Sequence, residues 1–115
     1  MITIFTPTYN RAHTLSRLFE SLQNQSLKSF EWIIIDDDSN DDTEELVKYF
    51  INKANFPIRY EKQSHGGKHR AINKAVKLSK HEWFFIVDSD DFLVPDAIDK
   101  INGWINANEN DKKIA

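Results

Sequence analysis

Three carboxylates fall within four positions at Asp88-Ser89-Asp90-Asp91, directly after the apolar run Trp83-Phe84-Phe85-Ile86-Val87. Carboxylates this close raise one another's pKa unless something positive neutralises them. A hard divalent cation bound through oxygen ligands does so. The same tetrapeptide also suits a solvated turn followed by a helix cap, since Asp and Ser favour both. A second acidic run, Asp36-Asp37-Asp38-Ser39-Asn40-Asp41-Asp42, follows a second apolar run from Phe30 to Ile35. Both acidic runs therefore sit where an apolar segment ends.

The apolar runs are the length of strands and are rich in aromatic and β-branched residues. Near-continuous hydrophobicity indicates strands covered on both faces, as in a parallel sheet. A first strand is expected over Ile2 to Thr6, stopped by Pro7. The stretch Pro57-Ile58-Arg59-Tyr60-Glu61 reads as a weaker strand nearer an edge. Between them, apolar residues recur at helical spacing: Leu15, Leu18, Phe19 and Leu22, then Leu46, Val47, Phe50 and Ile51, then Ala71, Ile72, Ala75, Val76 and Leu78. Val94-Pro95-Asp96 opens a last helix with the stripe Ile98, Ile101, Trp104 and Ile105. Lys112-Lys113-Ile114-Ala115 reads as the approach to a further strand.

This alternation implies an α/β fold: a mostly parallel, Rossmann-like sheet with helices on both faces. Right-handed crossovers bring the strand ends to one rim, the place where ligands bind in open α/β sheets. Pro7-Thr8-Tyr9, Asp36 to Asp38 and Asp88 to Asp91 meet there, which favours a site over unrelated turns.

At 115 residues, with 40% hydrophobic and 29% charged residues, the chain is at most one soluble globular domain. A net charge of -3 argues against nucleic acid as a partner. No apolar run is long enough for a membrane span, and the start lacks the pattern of a signal peptide. The absence of cysteine excludes a disulfide framework and fits a reducing compartment. The expected location is the cytoplasm, peripheral to the inner face of the membrane for a full-length protein.

Several motifs fail. An EF-hand loop starting at Asp36 would need Gly where Asp41 stands and Glu where Val47 stands. Gly66-Gly67-Lys68 lacks the earlier glycine and the following Ser or Thr of a phosphate-cradling loop. No Gly-x-Gly-x-x-Gly follows the first strand, so a dinucleotide fold is unsupported. His65 and His69 are four apart, but the intervening glycines disfavour a helix that would pair them as metal ligands.

At Pro7-Thr8-Tyr9-Asn10-Arg11, Ile35-Asp36-Asp37-Asp38-Ser39 and Val87-Asp88-Ser89-Asp90-Asp91, the sequence resembles the inverting glycosyltransferases of family two. These are GT-A fold enzymes that use nucleotide-diphospho-sugars. Gly66-Gly67-Lys68-His69-Arg70-Ala71-Ile72-Asn73 is similar to that family's glycine turn and helix. The resemblance covers essentially the whole chain and implies one nucleotide-sugar-binding domain over residues 1–115, truncated on its C-terminal side. It implies that Pro7 and Tyr9 lie against the base and that Asp37 accepts from the uracil imide. It implies that Asp88, with Ser89, faces the ribose and that Lys68 reaches the nucleotide or its phosphates. Asp88-Ser89-Asp90 matches the family's DXD motif. Asp90, with Asp88 and in some arrangements Asp91, would bind Mg2+ or Mn2+ on the diphosphate. For Asp36, Asp38, Asp41 and Asp42, turn formation and helix capping are the favoured roles.

The implied reaction passes a sugar, most simply from a UDP-sugar, to a hydroxyl of a carbohydrate or lipid-linked acceptor, as in cell-surface polysaccharide synthesis. No catalytic residue is identified within the chain; the base is expected beyond Ala115. His81 stands where the family often carries glycine, and a left-handed backbone there costs His more than Gly. Two other readings stand beside this one. A nucleotidyltransferase would need a glycine-rich basic loop where Pro7-Thr8-Tyr9-Asn10 lies. A nucleotide-binding fragment without catalysis fits the absent base.

Overall fold

The structure, a computed structural model, describes residues 1–79 and 81–114, with side chains through Asn108. Strands and helices alternate: β1 (Ile2–Thr8), α1 (Ala12–Gln23), β2 (Phe30–Asp36), α2 (Thr43–Lys53), β3 (Ile58–Lys62), α3 (Gly67–Leu78), β4 (Trp83–Ile86) and α4 (Ala97–Ile114). The four strands form one parallel sheet in the order β3-β2-β1-β4. The order reverses at β1, so the crevice between the ends of β1 and β4 is the switch point of the sheet.

Helices cover both faces unequally. Even-numbered residues of β1 and β2 (Ile2, Ile4, Phe30, Trp32, Ile34) face α1, α2 and α4 through Leu15, Leu18, Leu22, Val47, Phe50, Ile98 and Ile105. Phe5, Ile33 and Ile35 face α3, which meets them with Ala71 and Ala75. The two small side chains leave Ile72 and Leu78 to pack at the margins of that contact. Val76 lies about 100° round the helix from Ala75 and is exposed, as is Ile51 beside Phe50 on α2. Trp104 is also exposed, although its ring meets that of Trp83 edge-on at 5.6 Å. The apolar stripes expected at these three positions are therefore narrower than the sequence suggests.

Register explains the shape of the rim. β1 and β2 finish level, with Thr8 opposite Asp36. β4 stops at Ile86, opposite Phe5. Three residues of β1 therefore project past the end of β4, roughly 10 Å at strand rise. β1 also runs through Pro7 instead of stopping at it. The Phe5 carbonyl accepts from Val87 N–H and the Thr8 carbonyl from Asp37 N–H. Alternation turns Pro7, like Phe5, toward the β4 side, where the ladder has already ended. A proline that lacks an N–H costs nothing there.

Three other expectations change. β4 is an edge strand with half-exposed side chains, not a strand buried on both faces. Residues 112–114, read from the sequence as an approach segment, lie in α4. His81 is not left-handed; among described residues other than glycine, positive φ occurs at Asn10 (50°) and Asp38 (68°). Lys80, beside His81, and Ala115 lie outside the described residues.

Candidate functional site

The loops after β1 and β2 leave the sheet side by side and are tied together. Asn10 N–H donates to Ser39 Oγ at 2.8 Å, and Asn40 N–H donates to Asn10 Oδ1 at 2.7 Å. Asp41 Oδ2 accepts from Ala12 N–H at 3.1 Å, and its Oδ1 accepts from Thr43 N–H at 3.1 Å and from the Thr43 hydroxyl. One carboxylate thus serves the first turns of α1 and α2, where unpaired N–H groups favour negative charge. Burial works against the ionised form, but these hydrogen bonds outweigh it and hold the Asp41 carboxyl below its usual range.

Asp36 is fully buried. It accepts from Ser39 N–H (3.0 Å), Ser39 Oγ (2.6 Å) and the Tyr60 hydroxyl (2.6 Å). Burial and the adjacent carboxylate raise the Tyr60 hydroxyl well above the ordinary phenol value. Asp36 thus closes a turn and supports β3.

Asp37 belongs to a different network. Its Oδ1 accepts from Gly66 N–H at 2.8 Å and from Gln63 Nε2 at 2.9 Å. Gly67 N–H donates to Oδ1 at 3.3 Å and to Oδ2 at 3.2 Å. His65 Nδ1 lies 3.0 Å from Oδ2. Desolvation pushes this carboxyl up, but the Gln63 side chain, the two glycine N–H groups and the nearby His65 ring outweigh it and hold it low. Asp37 therefore caps α3 from across the rim. Gly67 takes φ +80°, which glycine adopts without strain, to start the helix at that point.

Pro7, Thr8, Tyr9, Arg11, Ile35, Asp37, Gly67, Lys68, Ala71 and Ser89 line a recess of about 270 Å³. The Tyr9 ring is exposed at its mouth, 5.6 Å from the His65 ring. Lys68 Nζ lies 3.5 Å from Asp88 Oδ1. One carboxylate oxygen each from Asp88, Asp90 and Asp91 lie within 4.8 Å of one another, and all three residues are exposed. Asp91 N–H donates to the Asp88 carbonyl at 3.0 Å, closing the turn that groups them.

The structure thus gathers Pro7, Tyr9, Asp37, Lys68 and Ser89 around one recess, with Asp88 reached through Lys68. Asp90 and Asp91 join Asp88 in the neighbouring turn. Asp38 and Asp42 are exposed loop residues outside this lining. The sequence reading did not single out Thr8, Arg11 or Gln63. The Thr8 hydroxyl and the Gln63 side-chain oxygen are buried, and no partner is found for either among the described residues. Thr8 lies in the Pro-Thr-Tyr run already identified; nothing in the sequence marked Gln63.

The profile of the family described as Glycosyl transferase family 2 matches residues 3–112. The chain is 35% identical over 114 residues to the poly(ribitol-phosphate) beta-N-acetylglucosaminyltransferase TarP of Staphylococcus aureus, covering 96% of this chain and 34% of TarP. It is 37% identical over 100 residues to chondroitin synthase of Escherichia coli, covering 86% of this chain and 14% of that enzyme. The chain spans about a third or less of the length of these relatives. Among solved structures it is similar to residues 1–349 of S. aureus TarS in complex with UDP-GlcNAc. The TM-score is 0.83 at 28% identity, over 94% of this chain and 32% of that one. The α/β fold, with its parallel four-stranded sheet, is that of the GT-A glycosyltransferases.

Proposed function

The chain belongs to glycosyl transferase family 2, and on that premise we propose that it forms the donor-binding part of an inverting, metal-dependent glycosyltransferase that uses a UDP-sugar. The observation that carries this reading is the recess at the β1/β4 switch point. It places Pro7, Tyr9, Asp37, Lys68 and Ser89 on one wall system, beside three clustered carboxylates. The likeness to a UDP-GlcNAc complex supports the choice of nucleotide. In this reading residues 1–115 act as one nucleotide-sugar-binding domain.

Pro7 and Tyr9 hold the base, and Asp37 accepts its imide N–H; a charged acceptor makes that hydrogen bond strong. Asp88 and Ser89 face the ribose. Lys68, freed from Asp88, reaches a phosphate oxygen. Asp90, with Asp88 and Asp91, would hold Mg2+ or Mn2+. The chemistry fits: three clustered carboxylates are the hard oxygen donors that such an ion takes. The bound ion would neutralise charge building on the departing diphosphate. The acceptor hydroxyl attacks the anomeric carbon from the face opposite that leaving group, and configuration inverts. The base that takes the hydroxyl proton is not assigned to any residue of this chain. The acceptor in this reading is a carbohydrate or lipid-linked hydroxyl; TarP, for comparison, is named for a polymer acceptor.

Calorimetric titration with UDP and Mn2+ tests the reading. Saturable binding that weakens in Asp37→Asn and loses its dependence on Mn2+ in Asp90→Asn is expected. No binding by the intact chain, or equal binding by both variants, overturns it.

A further inference from the structure

The acidic turn lies in a stretch, 87–96, with no strand or helix of its own. Its backbone groups must therefore find partners elsewhere. Before the turn, Thr6 Oγ1 donates to the Val87 carbonyl at 2.7 Å and Val87 N–H donates to the Phe5 carbonyl at 2.8 Å. After the turn, the partners come from the end of α1. Leu93 N–H donates to Ser21 Oγ at 3.0 Å, and Ser26 N–H donates to the Pro95 carbonyl at 2.8 Å.

Between these two bonds sits Gln25, only 3% exposed. Its Nε2 donates to the Val94 carbonyl at 2.7 Å and to the Ser21 carbonyl at 3.0 Å, and its Oε1 accepts from Ile98 N–H at 3.0 Å. Two carbonyls on one side and an N–H on the other fix which way the amide points. A carboxylate would set an oxygen against the carbonyls, and an apolar side chain would take the acceptor from the buried Ile98 N–H, although the Val94 carbonyl would keep the Ala97 N–H.

We propose that Gln25 is a positioning residue for the metal carboxylates, acting through the 92–98 segment; this rests on the donor-site reading above. Three exposed carboxylates repel one another. Their grouping therefore depends on backbone held from both ends, by Thr6 on one side and by Gln25 with Ser21 on the other. Gln25 touches neither nucleotide nor ion. It sets where the turn ends and where α4 begins.

The test uses the whole chain and two readouts. Mn2+ affinity is measured by electron paramagnetic resonance with UDP saturating, and uridine affinity is measured without metal. Gln25→Met keeps the length of the side chain and loses its hydrogen bonds. Loss of a group that orients metal ligands costs about tenfold or more in metal affinity. We therefore expect Mn2+ binding to fall by about that factor while uridine binding stays as in the unaltered chain. Val47→Ala, a core change on α2, serves as the control for destabilisation alone and should leave Mn2+ affinity unchanged. Unaltered Mn2+ affinity in Gln25→Met overturns the proposal, as does an equal loss in Val47→Ala or a parallel loss of uridine. If the unaltered chain binds uridine but no Mn2+, the metal reading itself fails and the proposal with it. Should Gln25→Met fail to fold, Ser21→Ala removes the hydroxyl holding Leu93 and carries the same expectations.

Discussion

Asp41 reaches from the loop after β2 to accept the Ala12 N–H of α1 at 3.1 Å, although the two residues are 29 positions apart. The same carboxylate caps Thr43 of its own helix. Replacing it with Ala removes both caps, and loss of one cap alone costs about 0.5–2 kcal/mol. Urea denaturation should rank the intact chain above Asp41→Asn, which keeps one acceptor oxygen, and Asp41→Ala last. A midpoint for Asp41→Ala equal to the parent's would show that the two caps add nothing.

The acid sensitivity of the fold follows from Asp37 and Asp41, both held below the ordinary carboxyl value. A depressed folded-state pKa adds stability that is complete above the unfolded pKa, about 3.9, and is lost as pH falls through the folded value. Stability of the parent chain should therefore drop below about pH 4 more steeply than that of the Asp37→Asn, Asp41→Asn double variant. The gap between them should narrow as pH falls. Parallel curves of thermal midpoint against pH would remove these two groups as the cause.

Thr6 joins the core to the acidic turn. The Trp32 indole N–H donates to Thr6 Oγ1 at 2.9 Å, and Thr6 in turn donates to the Val87 carbonyl. Thr6→Val keeps the shape but strands a buried N–H and a carbonyl, at a cost of about 1–3 kcal/mol for an unsatisfied group. Thr6→Ser retains both bonds and should lose much less. The two variants compared by urea denaturation check this; equal losses would point to the methyl group instead.

Neutralising one acid of the trio should separate metal binding from stability. Asp90→Asn relieves repulsion among exposed carboxylates. Its melting temperature without metal should match or exceed the parent's. Mn2+ with UDP should raise the melting temperature of the parent, because a ligand bound only to the folded state stabilises it, and should raise that of the variant less. A thermal shift of equal size in both proteins would detach Asp90 from the ion.

Gly67 tests the α3 start. A Cβ there meets nothing within 4 Å, but φ is +80°. Gly67→Ala should therefore cost about 1 kcal/mol from backbone strain alone. Gly67→Asn should cost less, since Asn enters the left-handed region more readily. Calorimetric melting of the two variants checks the order.

Much of this architecture was legible in the residues. Leu15, Leu18, Phe19 and Leu22 announced α1, and all four are buried. The run from Phe30 to Ile35 announced a covered strand for the same reason: periodicity reports which side chains must leave water. The run at Trp83 misled, because an aromatic segment at a sheet edge reads like one in the middle. Pro7 misled because a missing N–H matters only where a neighbouring strand would have used it. Asp36, Asp37 and Asp41 look alike in sequence, yet one closes a turn, one caps α3 and one caps two helices. Turn formation and helix capping are what the sequence suggests for Asp36 and Asp41, but that Asp41 serves two helices and that Asp37 caps α3 depends on contacts between loops that local spacing does not encode. Gln25 was hidden for the same reason, since its partners lie at Val94 and Ile98.

Asp37 is held at the wall of the recess by the very groups that begin α3. Its carboxylate is preorganised: the rotational freedom it would otherwise lose on capture is already lost when the chain folds. Coupling of this kind runs both ways. A molecule that grips Asp37 firms up the glycine turn, and any change that frays the turn blunts the grip.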